Sequence, residues 1–179
     1  EKPAVISAIM KQQTTDRARE VLNYSMDIHA GSSICLGENN FLEKFYRSAP
    51  IGITVEGSNT LTKNLIIFGQ GLNKSHPYIY PILDNILNDD IKGFQNNFKN
   101  MFYHAISIWG KSLIPNLNNN ILNTLQKQTI NFAHLSNIVA LKGGSIKKEQ
   151  FLSGDMADIF SNLYLAYSVV WEYENNKTS

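Results

Sequence analysis

A single cysteine, Cys35, excludes an intrachain disulfide and leaves no partner set for a zinc ribbon. It fits a reducing compartment. No run approaches the roughly 20 apolar residues of a membrane span, and no signal peptide is visible. Charge is scarce, 17% of the residues, and nearly balanced at a formal +1. No overall field therefore recruits nucleic acid or an acidic surface. What is present is 43% hydrophobic residues in 179, enough for one ordered domain with a core, or a domain plus an appendage. The many asparagines read as composition bias and carry no function. The chain opens on Glu1 rather than methionine, which reads as a piece of a longer protein.

Helical periodicity dominates. Pro3 sits where a first turn tolerates it, and Val5, Ile9, Ala18, Val21, Leu22, Ser25 and Ile28 follow three- and four-residue spacing, a helix with one buried stripe. Lys11, Arg17 and Glu20 are expected to face water. Gly31 is expected to end this helix, with a loop from Gly31 to Asn40. A short helix from about Asn40 to Ser48 follows, stopped by Pro50, because the residue before proline is pushed out of helical geometry. Only Ile51 to Val55 has strand-like content, too short for a sheet. Ser58 or Asn59 can cap a helix carrying Leu61, Leu65, Ile66 and Phe68, ended by Gly69 and Gly71 and broken at His76-Pro77. Further helices are expected over Tyr78 to Asn88, Asp90 to Leu113, Asn120 to Leu141 and Ser153 to Glu174, separated by turn-rich "NDD", "IPNLNNN" and "KGGSIKKEQF". The expectation is an all-α helical bundle with a seam near Asn85: a bundle portion over 1–84 and a helical extension over 85–179.

An ordered set of motifs carries the chemistry: "DIHAG" (Asp27 to Gly31), Tyr46-Arg47, "PIGITVEG" (Pro50 to Gly57) followed by Ser58-Asn59-Thr60, "IIFGQG" (Ile66 to Gly71), "HPY" (His76 to Tyr78) and "LKGGSIKKEQFLSGDMADIFSNLYLAYSVV" (Leu141 to Val170). Together they resemble the C-terminal helical domain of the acyl-CoA dehydrogenases, and within them the long bacterial enzymes of fatty-acid β-oxidation. The resemblance spans nearly the whole chain. It implies an FAD enzyme that oxidises a fatty acyl-CoA to the trans-2-enoyl-CoA. A glutamate takes the α proton while hydride leaves the β carbon, with electron-transfer flavoprotein as acceptor and a homo-oligomeric assembly. Glu56 occupies the base position, a carboxylate that must be ionised yet poorly solvated. Val55 and Gly57 border the thioester, Gly57 letting the backbone run close to it. The resemblance assigns FAD contact to Ser58, Asn59 and Thr60. It assigns contact with a neighbouring subunit's FAD to Asp27, Ile28, His29, Ala30 and Gly31. Ala30 and Ser33 stand where the family pattern has glycine. The family's flavin-binding N-terminal and β domains do not fit in this chain, which alone is expected to be catalytically silent.

Other readings stand beside these. Glu56 as a solvated carboxylate at a helix N-terminus is the simpler alternative. So is a non-catalytic oligomerisation or interaction module derived from such an enzyme, or a related oxidase. His29 and His76 lack a third ligand, so capping or packing is favoured over a metal. Arg47 fits a phosphate or a surface ion pair. "GGSIKKEQ" is no P-loop. The aromatic, lysine-bearing stretch Lys92 to Ile114 fits a bundle helix better than a membrane-surface one, because apolar groups cover more than one stripe. A cytoplasmic location is expected, with inner-membrane contact the less favoured placement.

Overall fold

Helix α1 (Ala4–His29) is the long rod on which the N-terminal half is built. The computed structural model describes residues 4–71, 73, 76–116 and 120–177; the first turn at Pro3 and the centre of the "IPNLNNN" turn lie outside them. After α1 come α2 (Gly31–Ile34), α3 (Glu43–Thr54) and α4 (Asn59–Leu61), which runs into a π-helical segment (Thr62–Gln70). Three hairpin-connected helices follow: α5 (Ile79–Leu87), α6 (Ile91–Leu113) and α7 (Ile121–Ala140). A 3-10 turn (Gly143–Lys147) leads into α8 (Gln150–Lys177). No strand occurs among the described residues, so the protein is all-α.

The sequence supplies the caps. Ser58, Asp90 and Asn120 each accept a backbone N–H of the first turn they precede, from Leu61, Gly93 and Leu122. The core is small and spans both sides of Asn85: Ala8 and Ile9 of α1, Ile67 and Phe68 of the π segment, Val139 of α7, Met156 and Ala157 of α8. Phe132 links it, edge-on to Phe68 at 6.4 Å and stacked on Phe160 at 5.7 Å. Fully burying each large side chain contributes about 1.5–3 kcal/mol. Helix α8 lies close against the π segment because residue 154 is glycine. A Cβ there would sit 2.9 Å from Asn64 Oδ1. Ser153 Oγ donates to the Asn64 carbonyl, and Lys63 pairs with Asp158 at 2.5 Å.

Several expectations are corrected. The α1 stripe is buried at Ile9 and half-buried at Val5, Leu22 and Ser25, whereas Ala18, Val21 and Ile28 are exposed. Helix α3 passes through Pro50 and absorbs the strand-like Ile51–Thr54. Its approach to α1, with Thr15 Cγ2 only 3.4 Å from where a Gly52 Cβ would stand, is the tertiary packing that outweighs the missing proline N–H. Helix α1 ends one residue early, at His29, and Gly31 opens α2 rather than closing α1. The π segment continues through Gly69. Its wider turn buries Thr62 and Ile67, five apart, and leaves Leu61 and Leu65 exposed, which a 3.6-residue period does not anticipate.

Candidate functional site

Glu56 stands in the short loop Val55–Ser58 between α3 and α4. Its backbone is left-handed (φ 55°), and so is that of Gly57 (φ 89°). A non-glycine residue in that region costs on the order of 1 kcal/mol and persists only where its surroundings hold it. Here the holding group is Lys11. Its ammonium donates to Gly57 O at 2.9 Å, to Asn59 Oδ1 at 2.7 Å and, more weakly, to Ile53 O at 3.4 Å. Lys11 therefore does not face water, as its place in the sequence implied; it is half-buried against the loop. Asn59 is buried, and its amide donates to Asp16 Oδ1 at 2.6 Å and Thr15 Oγ1 at 2.8 Å. Gln12 donates to the other Asp16 oxygen at 2.5 Å. The loop is thus pinned to one turn of α1 by a polar network.

That network leaves Glu56 outside it. The side chain is exposed, and neither its carboxylate nor its backbone N–H has a partner among the described residues. Val55 is exposed and Gly57 half-buried beside it. Ser58 Oγ serves as the helix cap, while the Thr60 hydroxyl belongs to an exposed residue. Thr60 and Lys63 form one wall of a cleft of about 500 Å³, and Phe151 and Asp155 of α8 form the other. Phe151 is 94% exposed there. Sequence reasoning missed Lys11, Asp16 and Phe151. The available signal was the polar run Lys11 to Asp16 inside an otherwise amphipathic helix.

The second group of predicted residues lies elsewhere. Asp27, Ile28, His29, Ala30 and Gly31 are all exposed at the far end of α1. Helix α3 returns antiparallel along α1, from Tyr46 near Asp27 to Gly52 near Thr15. At 1.5 Å per residue, the sixteen residues between Lys11 and Asp27 put the two groups roughly 24 Å apart. One chain does not bring them together. Ala30 is the left-handed residue of this turn (φ 47°). Ser33 is buried and donates to the Met26 and Ala30 carbonyls at 2.8 and 2.7 Å, closing the end of α1. Beside the turn, Asn23, Asp27 and Tyr46 help line a depression of about 300 Å³.

The remaining candidates have partners within the chain. Arg47 pairs with Glu43 at 3.2 Å on the surface of α3. His29 meets Phe41 edge-on. His76 Nδ1 accepts the Tyr78 N–H at 3.2 Å, so the neutral ring carries its proton on Nε2, facing Asn137 Oδ1 at 3.2 Å. Burial lowers the His76 pKa, and the nearby His104 adds to this against the opposing bond to Asn137. No group of three potential metal ligands occurs among the described residues.

A family profile, "Acyl-CoA dehydrogenase, C-terminal, bacterial type", matches residues 73–179, more than half of the chain. The chain belongs to this family. The matched region covers α5 to α8 and begins after Glu56, so the family assignment rests on the extension rather than on the loop. No solved structure matched the chain. Among the described residues no helix of this acyl-CoA dehydrogenase domain is long and apolar enough to cross a membrane.

Proposed function

We propose that this chain is the C-terminal part of an FAD-dependent acyl-CoA dehydrogenase that oxidises fatty acyl-CoA to trans-2-enoyl-CoA, with Glu56 as the α-proton base. The observation that carries the reading is the Glu56 backbone. It is held left-handed by a clamp from α1, with its carboxylate and N–H both unpartnered. A carboxylate that must take a proton and an N–H that must polarise a thioester carbonyl require that freedom. The poorly solvated setting is not met within this chain, where Glu56 is exposed, and in this reading bound acyl-CoA and flavin supply it. Stored strain at such a loop accords with a site that must stay preorganised.

In this reading Glu56 removes the α proton, and its N–H, with Val55 and Gly57 alongside, orients the thioester. Bound FAD supplies the hydride acceptor. The residues present fit it unevenly. Thr60, exposed, remains available beside Glu56. Ser58 Oγ already accepts the Leu61 N–H as a cap and keeps only its hydroxyl proton to give, and Asn59 is occupied by Lys11, Thr15 and Asp16 and acts by positioning the loop. Asp27 to Gly31, with the adjoining depression, offer a second polar surface too distant to serve the same cofactor. They suit the cofactor of a neighbouring subunit in a homo-oligomer. Electron-transfer flavoprotein is the fitting acceptor, and the cytoplasm the fitting compartment. We further propose that 1–84 carry the catalytic elements and 85–179 the extension.

A second reading, a non-catalytic interaction module, draws support from the occupied Asn59 side chain and from Ala30. In full-length protein carrying this chain, Glu56→Gln is expected to retain bound flavin but lose flavin bleaching by acyl-CoA. Normal bleaching by that variant removes the base assignment; absence of bleaching in the parent protein supports the module.

A further inference from the structure

Helix α6 has two apolar faces. One is half-buried in the hairpins with α5 and α7. The other consists of Ile91, Phe98, Phe102, Ile106, Trp109 and Leu113, each between 48% and 71% exposed. Their three- and four-residue spacing, with Gln95 in the one gap, confines them to about a quarter of the helix circumference. A contiguous stripe of this kind, with two phenylalanines and a tryptophan, is more than scattered surface hydrophobicity.

The charge around it is one-sided. The chain is balanced as a whole, yet from Ile91 to Lys148 it holds seven of its sixteen cations and none of its fifteen anions. Lys92 and Lys99 are exposed and border the stripe. The Lys99 ammonium stands 5.9 Å from the centre of the Tyr103 ring, so stem and head already straddle an aromatic surface. The carboxylates nearest to α6 in sequence, Asp84, Asp89 and Asp90, all precede the helix, and Asp90 is engaged with Gly93 and Asn85.

We propose that this face of α6 docks on an anionic lipid bilayer, lying in the interfacial plane with the apolar stripe inserted and the lysines toward lipid phosphates. Charge decides the occupant. A second copy would set Lys92 and Lys99 against a face with no carboxylate in α6 or α7 to answer them. A bilayer surface supplies negative charge and accepts aromatic rings at headgroup depth. The inference does not depend on Glu56.

In full-length protein, the signal of Trp109 on the stripe is the difference in emission between the parent and Trp109→Phe. Mixed phosphatidylglycerol–phosphatidylcholine vesicles should shift its emission to the blue and, when brominated on the acyl chains, quench it. Pure phosphatidylcholine should do neither. Adding Lys92→Glu and Lys99→Glu, with helix content checked by circular dichroism, should weaken vesicle partitioning by about tenfold or more. The proposal is overturned if anionic vesicles leave Trp109 unshifted, or if the charge reversal leaves partitioning unchanged. It is equally overturned if Trp109 is buried by concentration-dependent self-association without vesicles.

Discussion

The Lys11 ammonium lies 2.9 Å from the carbonyl oxygen of Gly57, a residue 46 positions away in sequence. Because the same nitrogen reaches Asn59 Oδ1, one cation fixes both sides of the Glu56–Ser58 turn. Lys11→Met keeps the stem and removes the donor, leaving half-buried acceptors unpaired. The expected cost is about 1–3 kcal/mol. At this chain size that is a fall in Tm of roughly 2–4 °C per kcal/mol. Amide exchange at Leu61 and Thr62, just after the loop, should accelerate more than at Ile67. A variant with unchanged Tm and exchange contradicts the clamp.

Asn59 separates the Lys11 cation from the Asp16 carboxylate, accepting from one and donating to the other. Asn59→Asp puts a carboxylate where the amide donated. Like charges then face each other, so urea midpoints at pH 7 should drop, by more than for Asn59→Ser. Below about pH 5 protonation of one carboxyl should close much of the gap. A pH-independent difference contradicts the facing of Asn59 and Asp16.

Ala30 and Gly57 predict substitutions of opposite sign. Ala30→Gly relieves a left-handed alanine and should stabilise the protein by about 1 kcal/mol. Gly57→Ala should destabilise it by at least about 1 kcal/mol, since φ of 89° disfavours a Cβ whatever the space around it. Equilibrium denaturation of the two variants in parallel checks both signs.

His76 makes stability depend on pH. Its folded pKa lies below the ordinary 6.5, with burial the main cause. The unfolded chain therefore binds the proton first. The stabilisation is complete above about pH 6.5 and is lost as pH falls through the lowered folded value. His76→Gln, which keeps a donor toward Asn137, should flatten the stability profile in that window. Tyr78 and His104 are the other groups facing the ring. An unaltered slope assigns the dependence elsewhere.

The helices of the C-terminal half were legible because their ends carry local chemistry. Asp90 and Asn120 fall at their caps, and Tyr78 to Asn88 differs by a residue at each end from Ile79–Leu87. The N-terminal half was less so. The π turn at Thr62–Gln70 breaks the 3.6 period on which side-chain facing is judged. Helix α3 survives Pro50 only through its packing on α1. Glu56 itself was visible as a motif, but the partner that fixes its backbone, Lys11, is joined to it by tertiary contact alone. The polar run in "AIMKQQTTD" marks a break in the apolar pattern, but nothing in it names the loop that the lysine holds.

The central claim is that Glu56 moves the α proton, and exchange of that proton tests it apart from hydride transfer. Full-length protein in deuterium oxide, held anaerobically with an acyl-CoA analogue that cannot lose a β hydride, should wash deuterium into the α position. Glu56→Gln should abolish the wash-in while flavin content is retained. Undiminished α exchange in the Gln variant contradicts the account.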